Sequence, residues 1–343
     1  MAAMAVGVDT HKDTLAACLV DGLGIARDER EFPNDPAGHA AFAAWIAGIG
    51  GAARVGVEGS SSYGAGLARH LVAEGVDTVE VPPQLSRRER TRTRRPGKSD
   101  PGDAFAIARV TVAEADLPPV RLDDRTRDLQ LLAAARDAVV VAQTQARNRL
   151  HAHLVVLAPG YAATAARLAS GPELERARIL LRQPRGVEAE LARAELAEVL
   201  RLGRRAAVLE RRLRLLVGDD PLLAIPGCGH LSAAVIRGEA GDVARFRSHD
   251  AFAMFAGIAP VPASSGKTSR VRYNRRGNRR VNRAVWTIAT WQAKFDPRAR
   301  AYLARKRAEG KRSKEAMRCL KRHLVRPVFA ALVAGHAEVQ IAP

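Results

Sequence analysis

Aromatic residues, cysteines and long apolar runs are all scarce in this chain of 343 residues. Aromatics make up only 4% of the sequence, and Ala and Leu dominate its apolar residues, a composition that favours helices. The three cysteines, Cys18, Cys228 and Cys319, have neither metal-site spacing nor a disulfide pattern, which fits a reducing cytosol. No apolar run reaches the ~18 residues of a membrane span. The N-terminus lacks the basic and apolar regions of a signal peptide, so we expect a cytoplasmic protein.

Acidic residues are also in deficit. The chain has 55 Lys and Arg against 36 Asp and Glu, which gives a net charge of +19 and a pI near 11. Such an excess of positive charge implies a polyanionic partner, most often nucleic acid. A high-GC genome would explain the preference for Arg over Lys, but not the imbalance with acids.

The order of predicted elements indicates an α/β domain followed by helical regions. Residues 1–120 are predicted to form strands first and then alternating strands and helices, as in a mixed sheet. Residues 121–218 are predicted to form a long helical coiled-coil or oligomerisation region, and residues 219–343 a mainly helical domain. The predicted fold class is therefore α/β plus α, in a chain long enough for two or three domains.

The middle region contains two long stretches with helical periodicity, at about 123–157 and 187–217. A looser segment separates them, so we expect an antiparallel helical hairpin or coiled coil. Such a hairpin could be an arm for oligomerisation or for gripping nucleic acid, or it could be a plain helical spacer.

Four acidic residues need an explanation in so basic a chain. Asp9 and Glu58 each end a short apolar run that is predicted to be a strand. Asp100 and Asp103 are three residues apart at the start of a predicted helix, so they share one face. Carboxylates in these places are typical ligands of hard divalent cations. The pair could instead offset the helix dipole, at about 0.3–1 kcal/mol each, but that would not explain Asp9 and Glu58.

Two basic segments are predicted to contact phosphates. The first, from Ser86 to Lys98, holds one acid, Glu89, and could otherwise be a solvated run of charges. Its basic residues are Arg87, Arg88, Arg90, Arg92, Arg94, Arg95 and Lys98. The second lies around residues 264–280 and extends to Arg283 without an acid. Its candidates for binding nucleic acid are Lys267, Arg270, Arg272, Arg275, Arg276, Arg279 and Arg280.

Ser264 and Ser265 begin the second basic segment, directly before Gly266. No His or Asp lies nearby in sequence, so this is not the pattern of a hydrolase triad. A serine flanked by arginines is suited to attack a phosphodiester, because guanidinium groups can clamp the phosphate and stabilise developing charge. The serines could equally cap or hydrogen-bond a turn. The residues alone leave both interpretations open.

Taken in order, these motifs resemble the insertion-sequence-110 family of transposases, the bridge-RNA-guided DEDD recombinases. The resemblance covers nearly the whole chain. The motifs similar to the family's RuvC-like domain are Val6–Asp9, Glu58 and Lys98–Ala104. Those similar to its transposase-20 domain are Ile225–Gly229, Phe246–Ser248, Phe255–Pro260, Ser265–Lys267 and Arg276–Arg279.

The resemblance implies an RNase-H-like N-terminal domain whose quartet binds Mg²⁺, with Asp9, Glu58, Asp100 and Asp103 in those positions. It implies a serine nucleophile in the C-terminal domain that forms a phosphoserine link to DNA. That serine corresponds to Ser265, with Ser264 as the register alternative. It also implies an active site shared between protomers, hence a homo-oligomer such as a dimer or tetramer. A noncoding guide RNA would pair with double-stranded donor and target DNA.

We therefore predict a site-specific recombinase that mobilises an insertion sequence, in the bacterial cytoplasm and associated with the nucleoid. One alternative is a RuvC-like nuclease that uses water, and another is a nucleic-acid-binding protein without chemistry. A sugar kinase or actin-like ATPase is a further alternative, because Gly7–Thr10 followed by a hairpin is similar to their phosphate-binding turn. The net charge of +19 and the lack of a second Gly-rich loop argue against it.

Overall fold

The computed structural model describes residues 4–49, 53–93, 100–120, 124–262, 271–272, 274 and 277–341. They belong to two compact units, Met1–Leu122 and Asp123–Pro343. The first unit is an α/β domain and the second is almost entirely helical. None of the described helices is long and apolar enough to span a membrane.

Five strands of the first unit form one mixed sheet. β1 (Ala5–Thr10), β2 (Thr14–Val20) and β3 (Ala26–Pro33) form an antiparallel meander. β4 (Arg54–Val57) and β5 (Thr78–Glu80) extend the sheet parallel to β1. The resulting order, β3-β2-β1-β4-β5, is that of an RNase-H-like sheet. The predicted fold class is confirmed.

Helices cover both faces of this sheet. α1 (Pro36–Gly48) and α2 (Ala65–Ala73) pack on one face through a core of apolar side chains. The members of this core include Val6, Val8, Phe42, Leu67 and Leu71. α4 (Asp100–Ala113) packs on the other face, where Ala104 and Ala108 meet Ala5 and Cys18. Because both faces are buried, the inner strands are apolar throughout instead of alternating with polar residues.

α3 (Pro83–Thr93) is a helix that the sequence analysis did not predict. It contains the first half of the basic segment Ser86–Lys98 and packs beside α4. Residues 94–99 of that segment lie outside the described residues.

An antiparallel helical hairpin starts the second unit, as predicted. α5 (Asp124–Leu157) pairs with α8 (Val187–Val217) along its length. The partners run in opposite directions, since Arg136 bonds to Glu210 at 2.7 Å and Arg149 to Glu195 at 2.6 Å. Two short helices, α6 (Ala162–Ala165) and α7 (Gly171–Leu180), close the far end over a separate apolar core.

The remaining helices of the second unit share one core with the start of the hairpin. They are α9 (His230–Ala240), α10 (His249–Phe255), α11 (Arg279–Phe295), α12 (Pro297–Ala308) and α13 (Ser313–Ile341). Leu129 of α5 lies in the same core as Phe252, Val285 and Leu324. A two-stranded hairpin, β6 (Val261–Pro262) and β7 (Val271–Arg272), separates α10 from α11. The predicted boundary between a middle and a C-terminal domain stays a prediction.

Two glycines determine how closely α4 approaches the sheet. A Cβ atom at Gly7 of β1 would overlap backbone atoms of Ala104 and Ala108. One at Gly56 of β4 would overlap the Thr111 hydroxyl. Gly7 therefore lets the backbone of α4 lie directly against β1, and Gly56 makes room for the Thr111 side chain against β4, with the N-terminal turn of the helix near the ends of both strands.

Replacing Gly7 should push α4 away from β1. We expect Gly7→Ala to lower the free energy of unfolding by about 1–3 kcal/mol or more, because the added methyl group meets backbone atoms that cannot rotate away. Amide hydrogen exchange of β1 and α4 in the full chain would measure the loss of protection. Gly48→Ala is the matched control, since a Cβ atom there meets no atom within 4 Å. Equal protection in the two variants would contradict this packing argument.

Candidate active site

Asp9 and Glu58 follow paired positions of two adjacent parallel strands. Val8 of β1 pairs with Val57 of β4, and the Glu58 N–H donates to the Val8 carbonyl at 3.2 Å. Side chains alternate along a strand, so residues one position further lie together on the opposite face. That is the face covered by α4, to which Gly7 also belongs. The predicted juxtaposition of these two carboxylates is therefore present in the backbone register.

Asp103 reaches the same region from α4. It lies in the first turn of the helix and is only 6% exposed. Asp100 is the first residue of that helix, and its side chain lies outside the described residues. Three of the four predicted carboxylates can thus be located, on β1, just after β4 and at the start of α4.

Arg90 of α3 provides the counter-charge for these three carboxylates. Its guanidinium contacts the Asp103 carboxylate at 2.6 Å. This hydrogen bond is the main cause of the raised pKa of Arg90, against the opposing effect of burial, and the negative charges of Asp103, Glu58 and Asp9 raise that pKa further. A buried carboxylate such as Asp103 would be costly without such a partner.

The residues of the first basic segment that belong to α3 lie on two faces of this helix, an inner face and an outer face. On the inner face, the Ser86 hydroxyl donates to the Glu58 carboxylate at 2.6 Å and Glu89 pairs with Arg109 at 2.8 Å. The outer residues Arg87, Arg88 and Arg92 are exposed. From composition alone, all the arginines of the segment Ser86–Lys98 were predicted to bind phosphate. The helical spacing of Ser86, Glu89 and Arg90 was the available signal that one face points inward.

His11 is a further neighbour of the carboxylates that the sequence analysis missed. It lies in the turn between β1 and β2, and its Nε2 atom is 3.3 Å from the Asp9 carboxylate. The Asn34 side chain donates to the His11 carbonyl at 2.7 Å, which holds the turn against the end of β3. An imidazole in this place can orient the Asp9 carboxylate.

The chemistry of this donor set suits a hard divalent cation. Asp9, Glu58 and Asp103 supply only oxygen ligands, and their negative charges need compensation that Arg90 now provides. Among the described side chains, no group of three His, Cys, Asp or Glu lies close enough to hold a metal ion. The ligand types therefore suit a divalent cation. The fourth predicted ligand, Asp100, has a side chain outside the described residues.

Most of the second basic segment falls outside the described residues. This applies to the serines Ser264 and Ser265 and to Lys267, Arg270, Arg275 and Arg276, as it does to Arg94, Arg95 and Lys98 of the first segment. Of Arg272, only the backbone on β7 is described. Arg279 is exposed at the start of α11, whereas Arg280 pairs with Glu239 at 2.5 Å and with Asp137 at 3.3 Å. Nucleic-acid binding by these residues stays a prediction.

The root of the β6–β7 hairpin is held by close backbone packing. A Cβ atom at Gly277 would overlap backbone atoms of Gly257, whose φ of +64° also favours glycine. The buried Asn282 side chain donates to the carbonyls of Ala256 and Gly257, both at 2.9 Å. The chain therefore enters and leaves the predicted serine segment from a fixed base.

Comparisons with known proteins agree with this architecture. The DEDD transposase model of the IS110 type matches residues 6–159, and the model for the transposase IS116/IS110/IS902 family matches residues 219–304. The chain belongs to the IS110 family of transposases. Its resemblance to that family, seen first in short motifs, is confirmed. A DEDD transposase acts on DNA, and its quartet indicates the use of a divalent metal.

Relatives of this transposase come from several bacteria. An uncharacterized 42 kDa protein of insertion element IS900 from Mycobacterium paratuberculosis is 28% identical over 76% of this chain and 78% of its own length. An uncharacterized 43.6 kDa protein of insertion element IS110 from Streptomyces coelicolor is 35% identical over 37% of this chain and 33% of its own length. The transposase for insertion sequence element IS1328 from Yersinia enterocolitica is 28% identical over 64% of this chain and 65% of its own length.

Removing the Arg90 charge should make the stability of this transposase depend on divalent cations. Without a cation, we expect Arg90→Met to lower the free energy of unfolding by about 1–3 kcal/mol, because Asp103 loses its partner. Added Mg²⁺ should recover more stability in the variant than in the wild type, since the ion replaces the missing positive charge. Thermal unfolding in EDTA and in Mg²⁺ measures both effects. Arg88→Met, on the exposed face of the same helix, is the control, and identical behaviour of the two variants would contradict the assignment.

Proposed function

We propose that this transposase is a site-specific DNA recombinase that mobilises its insertion sequence by Mg²⁺-assisted, serine-mediated strand cleavage and exchange. The observation that carries the proposal is that the carboxylates of Asp9, Glu58 and Asp103, from β1, the end of β4 and α4, all lie within electrostatic range of Arg90. Carboxylates in such an arrangement can hold a divalent cation, which stabilises the charge that develops on phosphate oxygens in phosphodiester chemistry.

The residues that would hold Mg²⁺ are Asp9, Glu58, Asp100 and Asp103. When bound, the ion would act as a Lewis acid that stabilises charge on the scissile phosphate and its leaving oxygen. The Ser86 hydroxyl orients Glu58 through its 2.6 Å hydrogen bond. His11 lies beside Asp9 and can do the same for that carboxylate.

The nucleophile in this proposal is Ser265, with Ser264 as the alternative. Its Oγ atom would lose a proton and bond to phosphorus, while the bond from phosphorus to one DNA oxygen breaks and that oxygen takes up a proton. The products are a phosphoserine link and a free DNA hydroxyl. A hydroxyl of a second strand would then attack that link and free the serine. One phosphodiester is broken and one is formed, so the exchange needs no external energy source. Nearby arginines would clamp the phosphate.

Donor and target DNA, a structured guide RNA and further copies of this chain are the proposed partners. The exposed Arg87, Arg88, Arg92 and Arg279 and the net charge of +19 support nucleic-acid binding. Exposed apolar residues along the hairpin support a homo-oligomer, a dimer or tetramer, because such side chains gain from burial against another copy. They include Leu131, Val141, Val156, Leu191, Val208 and Leu215.

A covalent adduct tests the serine. We expect the wild-type protein, incubated with element-end DNA and RNA transcribed from its flank, to form a denaturation-resistant protein–DNA adduct. Ser265→Ala should abolish the adduct while leaving DNA binding intact, and Ser264→Ala should keep it. Denaturing gel electrophoresis reads both. An adduct lost only in Ser264→Ala would move the nucleophile by one residue. An adduct that persists when Ser264→Ala and Ser265→Ala are combined would refute serine chemistry. Free DNA ends from the wild type, without any adduct, would indicate hydrolysis by water.

Substitution of the carboxylates tests the metal site. Asp9→Asn and Asp103→Asn should each slow Mg²⁺-dependent strand cleavage by roughly a hundredfold or more, about 3 kcal/mol of transition-state stabilisation. They should also weaken Mg²⁺ binding measured by titration calorimetry. Asp13→Asn is the matched control, because Asp13 is exposed in the turn that follows Asp9. Full cleavage and unchanged Mg²⁺ binding in both site variants would rule this metal site out.

A further inference from the structure

A basic cleft of about 960 Å³ lies in the second unit, beside the root of the β6–β7 hairpin. Residues on both sides of the hairpin line it, namely Gly257–Pro260 before β6 and Asn274 after β7. Its other wall is formed by the end of α12, the start of α13 and the turn between them. This volume is at the upper end of ligand sites, about 300–1,000 Å³, which is room for a short stretch of one nucleic-acid strand.

Positive charge dominates the lining of the cleft. The basic side chains are Lys306, Lys311, Arg318, Lys321, Arg322 and Arg326, and the acidic ones are Glu309 and Glu315. Lys306 pairs with Glu309 at 2.8 Å, and Arg322 pairs with Asp250 of α10. Even with these pairs counted, the lining keeps a clear excess of cations, which an anion would offset.

Lys321 is a buried cation in this lining. It is only 4% exposed, and its Nζ atom donates to the Asn282 side-chain oxygen at 2.6 Å. Burial, together with the positive charges of Arg279 and Arg318, lowers the pKa of Lys321 to about 8. An anion in the cleft would offset the repulsion between Lys321 and these two arginines and favour the charged form of Lys321.

An aromatic pair gives the cleft a second property of single-strand sites. Tyr302 of α12 and His323 of α13 both line the cleft, and their rings stack at 5.5 Å with 23° between planes. Grooves that hold single strands combine cations for the backbone with aromatic rings for the bases.

We propose that this cleft binds the phosphate backbone of a single DNA strand, the strand that passes to the serine segment between β6 and β7. This inference rests on the proposed function, which makes that segment the place of attack. A DNA strand is favoured over other anions because the cleft combines an excess of cations with stacked rings and adjoins both ends of the hairpin.

Cys319 offers a direct probe of occupancy. It lines the cleft and is partly exposed, whereas Cys18 and Cys228 are buried. With oligo(dT) at saturation, alkylation of Cys319 by N-ethylmaleimide in the full chain should slow by about tenfold or more, because the reaction needs an accessible thiolate. Peptide mass spectrometry identifies the labelled cysteine. An unchanged rate under saturating oligo(dT) would overturn the proposal.

Charge reversal in the cleft tests the phosphate contacts. We expect Arg318→Glu with Arg326→Glu to weaken oligo(dT) binding at least about tenfold and to reduce the salt slope of log affinity by roughly 1.4, about 0.7 for each lost contact. Arg298→Glu with Arg300→Glu makes the same charge change at exposed positions of α12 that do not line the cleft. All four arginine positions are exposed, so the folds should persist, which thermal unfolding checks.

The outcomes separate this inference from the proposed function. Equal oligo(dT) binding by the two double variants would overturn the cleft assignment, even if the wild type forms its serine adduct. If Arg318→Glu with Arg326→Glu lost oligo(U) binding but kept oligo(dT) binding, the proposal would also be overturned, since the cleft would then bind RNA. Protection of Cys319 by oligo(dT), with no adduct at any serine, would support the cleft and refute only the proposed chemistry.

Discussion

The close approach of α4 to β1 and β4 is the constraint on which the position of the carboxylates depends. Gly7 lets the backbone of α4 lie against β1, and Gly56 leaves room for the Thr111 side chain against β4, so the first turn of α4 lies near the ends of both strands. Asp103 is buried in this turn and pairs with Arg90, whose guanidinium is also within electrostatic range of Asp9 and Glu58. The same closeness that brings ligands together also forces like charges together, and a folded chain must balance them.

The need to compensate these negative charges explains why the basic helix α3 packs beside the carboxylates. Arg90 neutralises Asp103, while Ser86 and Glu89 tie α3 to Glu58 and to Arg109 of α4. Each of these links joins α3 to a carboxylate or to the helix that carries one. A cation that entered the site would compete with Arg90 for the same carboxylates, so metal binding and the position of α3 should be coupled.

Local patterns predicted much of the fold, and they failed where partners are distant in sequence. Asp9 and Glu58 could be placed at strand ends because apolar strand runs are short-range signals. Their meeting depends on the pairing of β1 with β4, which are far apart in sequence. Charge composition grouped Arg90 with Arg87 and Arg88. The helical spacing of Ser86, Glu89 and Arg90 indicates a separate inner face, but it does not identify the buried acid that Arg90 meets. Arg280 is similar, because its partners Asp137 and Glu239 lie far away in sequence. The role of Ser265 still rests on resemblance to the family.

In the second unit, one chain of buried polar contacts joins the root of the hairpin to the basic cleft. Asn282 donates to the carbonyls of Ala256 and Gly257 and accepts from Lys321, which lines the cleft. A buried amide with both ends engaged has one arrangement that satisfies all its partners. A phosphate that drew Lys321 toward the cleft would therefore loosen the hold of Asn282 on the turn before β6. By this route, an anion in the cleft would act on the turn that precedes β6.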